Sequence, residues 1–475
     1  MSYPYMQPAG VAGYPLGSDI APEKEAFSFR EILFVAVFVG LLAVAYWAYK
    51  FGYAYIGMGI VGVPFFAACA VQPRIGLYAY GFWQAWDSAA VIGQSETAWL
   101  TPAKMLAFVA LGTGILPLFK QNAALLASRA IVAWLLIFAS VAAVSTVWSY
   151  EPTRSGRLAA QMFVQLSLLW VYVKLVGADL AYIKRFLFWT FVGGLTAAGY
   201  TIIYGMDQTA YGRATLGERA NPGSVAAGLV TAITCAPVLW IFTRRMWFRA
   251  FLFVGVFVMV LGVFATGSRA AVGGVGIGFI AAAVFSRSSA IMGRLIIVTL
   301  MVVLAYGAAL GSLHSGVLSE RSESRLADWL GVQAPSGISA PRSHAGRDEV
   351  WAIAWKGYKG SNGIGTGVGG AAYANLRHAG IFKDVHSNVL GSLTEMGVPG
   401  FVAFVVVHVL LILRSWRMYM PQLTGAAIII FCGYFSFGAT HTTYSTKLFW
   451  VPMTLMVILL EFDARTRSSN EFSNQ

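Results

Sequence analysis

Residues 250–265 read Ala-Phe-Leu-Phe-Val-Gly-Val-Phe-Val-Met-Val-Leu-Gly-Val-Phe-Ala, without one charged or hydrogen-bonding side chain. Arg244, Arg245 and Arg249 stand before this run, and Thr266-Gly267-Ser268-Arg269 follows it. With its flanks counted, such a run matches a membrane span of about 20 residues. Outward from it, apolar runs recur at 31–49, 52–71, 76–93, 104–119, 129–148, 158–178, 186–204, 224–243, 247–266, 270–286, 295–312, 388–413, 422–440 and 447–461. The third carries Asp87 and the fourth is short, so either could be re-entrant or interfacial. The count predicts an all-α polytopic membrane protein with about 12–14 transmembrane helices. Composition agrees: 58% of the 475 residues are hydrophobic and 11% charged, against about 25% charged in soluble domains.

The cations between runs set an expected orientation. Arg244, Arg245 and Arg249, then Arg287 with Arg294, Arg414 with Arg417, Lys184 with Arg185, Lys120 with Arg129, and Arg74 alternate along the chain. Placed in the cytoplasm by the positive-inside rule, they put both termini there. The loops at about 149–157, 205–223, 267–269, 313–387 and 441–446 then face outward. The expected organisation is a disordered cytoplasmic tail at 1–30 and N-terminal transmembrane helices at 31–312. A large, mostly helical periplasmic loop at 313–387 follows, then transmembrane helices at 388–461 and a cytoplasmic tail at 462–475. The loop carries Arg and Lys against the bias, which a loop longer than about 60 residues tolerates.

The net charge of +13 fits that bias and contact with anionic lipid. No basic run with interleaved aromatics occurs in a soluble segment, so nucleic acid is not an expected partner. Cys69, Cys235 and Cys432 lie inside apolar runs and read as small core residues. Residues 1–26 hold Pro4, Pro8, Pro15 and Pro22 and do not read as a signal peptide.

Five of the six histidines, His314, His344, His378, His386 and His441, fall on the outward side; His408 sits within a span. They lack HExxH spacing and an accompanying acidic cluster, so no metal is expected. Residues 346–356 read as a helix. Asp348 and Glu349 stand in its first turn, and Lys356 and Lys359 near its end. Trp351 and Trp355 share a face with Tyr358, facing the membrane surface or packing the loop onto the spans. Gly363-Ile364-Gly365-Thr366-Gly367-Val368-Gly369-Gly370 lacks the ending of a P-loop and the setting of a dinucleotide fingerprint. It is a flexible turn, or a stretch whose N–H groups approach a phosphate or sugar. Val385-His386-Ser387-Asn388 then places a histidine at the mouth of a span. Gly397 and Gly400 behind it would allow a break or close packing.

Several of these elements resemble the bacterial O-antigen ligase and polymerase superfamily. His386-Ser387, nine residues, Gly397, two residues and Gly400 are similar to that family's His-Asn/Ser/Arg-x9-Gly-x-x-Gly element. Gly346-Arg347 with Trp351, then Gly363-Ile364-Gly365, resembles its loop before the histidine. Thr266-Gly267-Ser268-Arg269-Ala270-Ala271 resembles its Gly-Ser-Arg element, and Asn221-Pro222 resembles a reversed Pro-Asn. The ordered resemblance covers roughly residues 205 to 450. It implies a fold related to the multispanning (GT-C-like) glycosyltransferases and an activity on the outer face of the bacterial inner membrane. It also implies an undecaprenyl-diphosphate-linked glycan donor and a saccharide acceptor, with neither metal nor cofactor. In a ligase the acceptor is lipid A–core; in a polymerase it is a second lipid-linked glycan.

The chemistry of that transfer assigns expected roles. A departing diphosphate needs cations and oriented donors, and arginine suits it because its planar fork pairs with phosphate oxygens. Arg269 and Arg347 are expected to stabilise it. A neutral histidine is a suitable base for the acceptor hydroxyl, which is the role expected of His386. Arg213, Arg219, Asn388, Trp351 and Gly365 are expected to bind substrate. A transporter of polysaccharide or lipid-linked glycan is the contrasting class. It predicts inverted repeats and ionisable residues deep in spans; no repeat is evident, and Asp87 and His408 are the buried candidates.

Overall fold

The computed structural model describes residues 54–86, 102–118, 125–177, 179–205, 222–285 and 347–473, with positions 307, 310, 311 and 327 between them. The tail at 1–30, the first expected span, Asp87, Arg213, Arg219, His314 and His344 lie outside the described residues.

Every regular element among the described residues is helical. In chain order they are α1 (Ala54–Val71), α2 (Arg74–Trp83), α3 (Pro102–Leu118), α4 (Arg129–Val144, continued by a 3-10 turn over Ser145–Trp148), α5 (Pro152–Leu175), α6 (Leu180–Tyr204), α7 (Pro222–Ile241), α8 (Met246–Ala265), α9 (Arg269–Phe285), α10 (Arg347–Gly360), α11 (Ala371–Ala379), α12 (Asn388–Trp416), α13 (Pro421–Ala439) and α14 (Lys447–Ser473). The chain is an all-α polytopic membrane protein. Seven described helices are long and apolar enough to cross a membrane: α4 with its 3-10 turn, α5, α6, α7, α8, α12 and α13. Helix α1, with Pro64 inside it, belongs to a separate compact unit of residues 1–71.

Helices in lipid gain little from hiding apolar surface from one another, so small residues at their contacts matter. A Cβ on Gly274 of α9 would stand 2.9 Å from the Gly433 carbonyl of α13, and one on Gly278 would stand 3.1 Å from the Ile429 carbonyl. Larger side chains fill the centre: Phe138 of α4 lies 6.0 Å, between ring centroids, from both Phe404 of α12 and Tyr444 before α14.

Two carboxylates fasten the far part of α14. Glu461, fully buried, accepts from the N–H groups of Leu126 (3.0 Å), Ala127 (3.0 Å) and Ser128 (2.7 Å) and from the Ser128 hydroxyl (2.6 Å). It thereby caps the start of α4, whose first N–H groups have no partner within the helix. Asp463 does the same for α13 through the N–H groups of Tyr419 and Met420, both at 2.8 Å.

Helix α12 is broken near its start. Gly397 has φ 68° and ψ −169° inside an otherwise helical run, a conformation open to glycine and strained for other residues. The break falls within the Gly-x-x-Gly element behind His386.

Candidate functional site

The site lies where the starts of α5, α10 and α12 meet the turns at 361–370, 380–387 and 440–446. His386 has φ 53°, one of two non-glycine residues with positive φ among those described. Such a conformation persists where neighbours over-determine it, and the neighbours here are firmly held. Val385 is fully buried, and its carbonyl accepts from the Trp351 indole N–H at 2.8 Å. Ser387 is buried; its N–H donates to Thr442 Oγ1 (3.3 Å), and its Oγ accepts from the Leu390 N–H (3.2 Å) as the N-cap of α12. Between these anchors the left-handed turn presents the His386 side chain to solvent.

The imidazole of His386 is held below its ordinary pKa. Partial desolvation is the main cause, with Arg347 and Lys383 acting in the same direction and Asp384 opposing them. At neutral pH it is therefore the free base. Arg347, the first residue of α10, is exposed and within electrostatic reach of that ring. Asp384 meets Arg154 of α5 at 3.5 Å, and Arg154 lies over the Tyr373 ring at 5.5 Å.

His441 stands beside His386, with ring centroids 6.3 Å apart and planes at 66°. It stacks on Phe437 at 4.1 Å. Asn388 fixes the turn that carries it. The Asn388 Oδ1 accepts from the N–H groups of Thr443 (2.6 Å) and Tyr444 (3.2 Å), and its Nδ2 donates to Thr443 Oγ1 (2.8 Å). Asn388 is buried with its carbonyl oxygen doubly used, so this geometry makes it a clamp between two turns. Trp351 is likewise committed through its indole N–H to the turn at His386. Trp355, by contrast, is exposed and stacks on Tyr358 at 5.2 Å, so the aromatic face of α10 splits between inward packing and solvent.

The glycine-rich stretch is tied to its surroundings by its own backbone donors. Gly363, Gly365, Gly367 and Gly369 all have positive φ. Their N–H groups and those between them turn inward. Gly365 donates to Ser361 Oγ (3.0 Å), Thr366 to the Thr394 carbonyl (3.0 Å), Gly367 to the Glu395 carbonyl (2.8 Å), Val368 to Ser145 Oγ (3.1 Å) and Gly369 to Glu395 Oε2 (2.6 Å). The N–H of Gly365 is thus occupied within the protein. Its missing side chain lets the loop reach the break in α12. Glu395, 1% exposed, also receives the Tyr444 hydroxyl. Burial and then the Glu395 charge push that hydroxyl above its ordinary pKa, keeping Tyr444 a donor.

Arg269 opens α9 two residues after Gly267, which has φ 63° and turns the chain sharply out of α8; the Arg269 side chain lies outside the described residues. No group of three His, Cys, Asp or Glu among the described residues is arranged to hold a metal ion.

A family model described as O-antigen ligase matches residues 254–405. The matched stretch is similar to an O-antigen ligase domain. It runs from within α8 to within α12 and contains Arg269, Arg347 and His386, so the resemblance read from the sequence holds over this stretch. No curated protein matches the chain. His441, Arg154 and Tyr444 fall outside the matched stretch yet reach the surroundings of His386. Of these, His441 had a sequence signal in its outward parity. Glu395 had another, as an acid just inside an apolar run, but neither Arg154 nor Asp384 had any beyond proximity to a span end.

Proposed function

We propose that this O-antigen ligase-type glycosyltransferase moves a glycan from undecaprenyl diphosphate to a hydroxyl of an acceptor saccharide, lipid A–core in the ligase form of the reaction. His386 accepts the proton of the acceptor hydroxyl. The hydroxyl oxygen bonds to the anomeric carbon as the bond from that carbon to the phosphate oxygen breaks. The diphosphate leaves with the bonding electrons, stabilised by Arg347 and Arg269. Arg213 and Arg219 are assigned to the same anionic donor. Asn388, Trp351 and Gly365 act by holding the turns at His386. The site faces the periplasm, with both termini in the cytoplasm.

The observation that carries this reading is His386 itself. Its imidazole is exposed by a left-handed turn and held below its ordinary pKa, with Arg347 in electrostatic reach, inside the matched stretch. General-base catalysis contributes about 10²–10⁴-fold, so His386→Ala should cost that much in a reconstituted transfer assay with membrane insertion verified. Full residual transfer would remove His386 from the mechanism. Deleting the gene in its host and separating the surface polysaccharide on a gel tests the acceptor. Loss of every glycan chain from lipid A–core supports the ligase; survival of single repeat units on the core replaces it with a polymerase.

A further inference from the structure

Helix α12 has two parts, on either side of its break. Before Gly397 its polar residues Asn388, Ser392, Thr394 and Glu395 are buried. After it, Val398, Val402, Val405, Val409, Ile412 and Trp416 recur at helical spacing and are all exposed, so one side of the helix is a continuous apolar stripe turned to lipid. Residues 398–416 rise about 28 Å at 1.5 Å each, close to the roughly 30 Å of a bilayer's hydrocarbon core. Exposed Arg414 and Arg417 stand at the far end. The break at Gly397 therefore marks the hydrocarbon boundary on the His386 side of the membrane.

The glycine-rich loop is strapped onto that break. Thr366 and Gly367 donate to the carbonyls of Thr394 and Glu395, and a Cβ on Gly397 would stand 2.5 Å from the Ile364 carbonyl. These contacts hold Ile364, 53% exposed, at the end of the α12 stripe nearest His386. Tyr358 of α10 lies beside it, its hydroxyl 3.3 Å from where a Cβ on Gly363 would stand. Trp355, 40% exposed, stacks on Tyr358, and the Lys359 Nζ lies 5.8 Å from the Trp355 ring centre. Helix α10 is thus divided along its length. Exposed Asp348 and Glu349 begin it, and exposed Lys356 and Lys359 end it beside the aromatic pair. The helix dipole alone favours that order of charge, but it does not account for a tryptophan and an isoleucine exposed next to the lysines. Tryptophan and tyrosine collect where a membrane meets water. Lysine can lay its stem on apolar surface and keep its ammonium among anionic head groups.

We infer that the end of α10 and Ile364 form an interfacial anchor: Trp355, Tyr358 and Ile364 enter the head-group layer on the His386 side of the membrane, and Lys356 and Lys359 meet its anionic lipids. The anchor sets the height of the glycine-rich loop over the bilayer, whichever glycan is transferred.

The test uses the full chain with Cys69, Cys235 and Cys432 replaced by alanine, in nanodiscs of phosphatidylcholine and phosphatidylglycerol. One nitroxide label is attached through Ile364→Cys, Val402→Cys or Glu349→Cys. Oxygen collects in lipid and a nickel chelate in water, so the ratio of their collisions with the label reads its depth. The Val402→Cys label should read hydrocarbon and the Glu349→Cys label water. The Ile364→Cys label should lie about 5–10 Å deep, at the boundary of head groups and acyl chains. Adding Trp355→Ser, Lys356→Gln and Lys359→Gln should raise its nickel collisions several-fold, to the Glu349→Cys level. The Val402→Cys label should stay in hydrocarbon, which shows the variant folded and inserted. Phosphatidylcholine alone should produce part of that rise, since each lysine near an anionic surface is worth about fivefold in association. An Ile364→Cys label as open to nickel as Glu349→Cys without those substitutions overturns the inference. A label shielded from both probes also overturns it, because protein then covers the patch, and so does a depth that the three substitutions leave unchanged. If the cysteine-free protein does not insert, quenching of tryptophan fluorescence by brominated lipid in the otherwise native chain reads the same contact. Trp355→Phe should reduce that quenching, and no reduction overturns the inference.

Discussion

Gly365 and Gly397 lie back to back. A Cβ on Gly365 would stand 2.5 Å from the Glu395 carbonyl and 2.8 Å from the Gly397 nitrogen, and a Cβ on Gly397 would stand 2.5 Å from the Ile364 carbonyl. Both residues also have positive φ. Alanine at either position therefore meets backbone strain and a backbone collision together, each of the kind that costs about 1–3 kcal/mol. Gly365→Ala and Gly397→Ala should each lower the thermal unfolding temperature in detergent and reduce transfer. The double variant should cost less than the sum, because both disturb one contact. Additive losses would mean that the two glycines serve separate purposes.

Asn388 links the turn at His386 to the turn at His441 through three hydrogen bonds. Asn388→Ala leaves two buried N–H groups without their acceptor, a loss of about 1–3 kcal/mol for each such group. Transfer should fall with protein still inserted. Asn388→Asp keeps an acceptor for both N–H groups, and the Thr443 hydroxyl can rotate to donate, so it should retain more activity than alanine. Equal loss in both variants would place Asn388 against the substrate instead.

The acid limb of the pH–rate profile tests the electrostatics of His386. A depressed pKa means that the free base persists below the ordinary histidine value of about 6.5, with activity lost as pH falls through the folded-state pKa. Asp384 raises that pKa and Arg347 lowers it. Asp384→Asn should therefore move the acid limb to lower pH, and Arg347→Gln should move it to higher pH, whatever each does to the maximum rate. Shifts of the same sign in both variants would show that another group titrates.

Glu395 joins the glycine-rich loop to Tyr444 by accepting from the Gly369 N–H and the Tyr444 hydroxyl. Glu395→Gln keeps an acceptor oxygen and should be mild. Glu395→Leu leaves both donors buried and unpaired, which should cost several kcal/mol in unfolding free energy. Tyr444→Phe should cost less than Glu395→Leu because only one of the two bonds is lost.

The membrane class and the helices were legible because a bilayer demands long apolar runs, and residues 250–265 state that demand without ambiguity. At Gly397 the sequence allowed a break or close packing, and the backbone of α12 shows the break. The role of the glycine-rich loop was not legible. Alternating glycines fit both a phosphate cradle and a tight strap, and only the partners of the N–H groups distinguish them. Parity put His441 on the same side as His386, yet its approach to His386 depends on Asn388 bridging 55 residues of chain, a long-range pairing that local pattern does not encode. Arg154 and Asp384 meet across 230 residues for the same reason.

His441 gives the sharpest division of labour within the site. Its ring is flat against Phe437, tilted by 9°, and edge-on to His386 at 6.3 Å. It is thus fixed as a wall beside the proposed base. His441→Ala should raise KM for the acceptor more than it lowers kcat, since uniform binding is lost, whereas His386→Ala should lower kcat. His441→Gln, which keeps a polar edge, should recover part of the acceptor affinity. If His441→Ala lowers kcat as far as His386→Ala and leaves KM unchanged, the two histidines act together on the proton, and the assignment of His386 alone as base must give way.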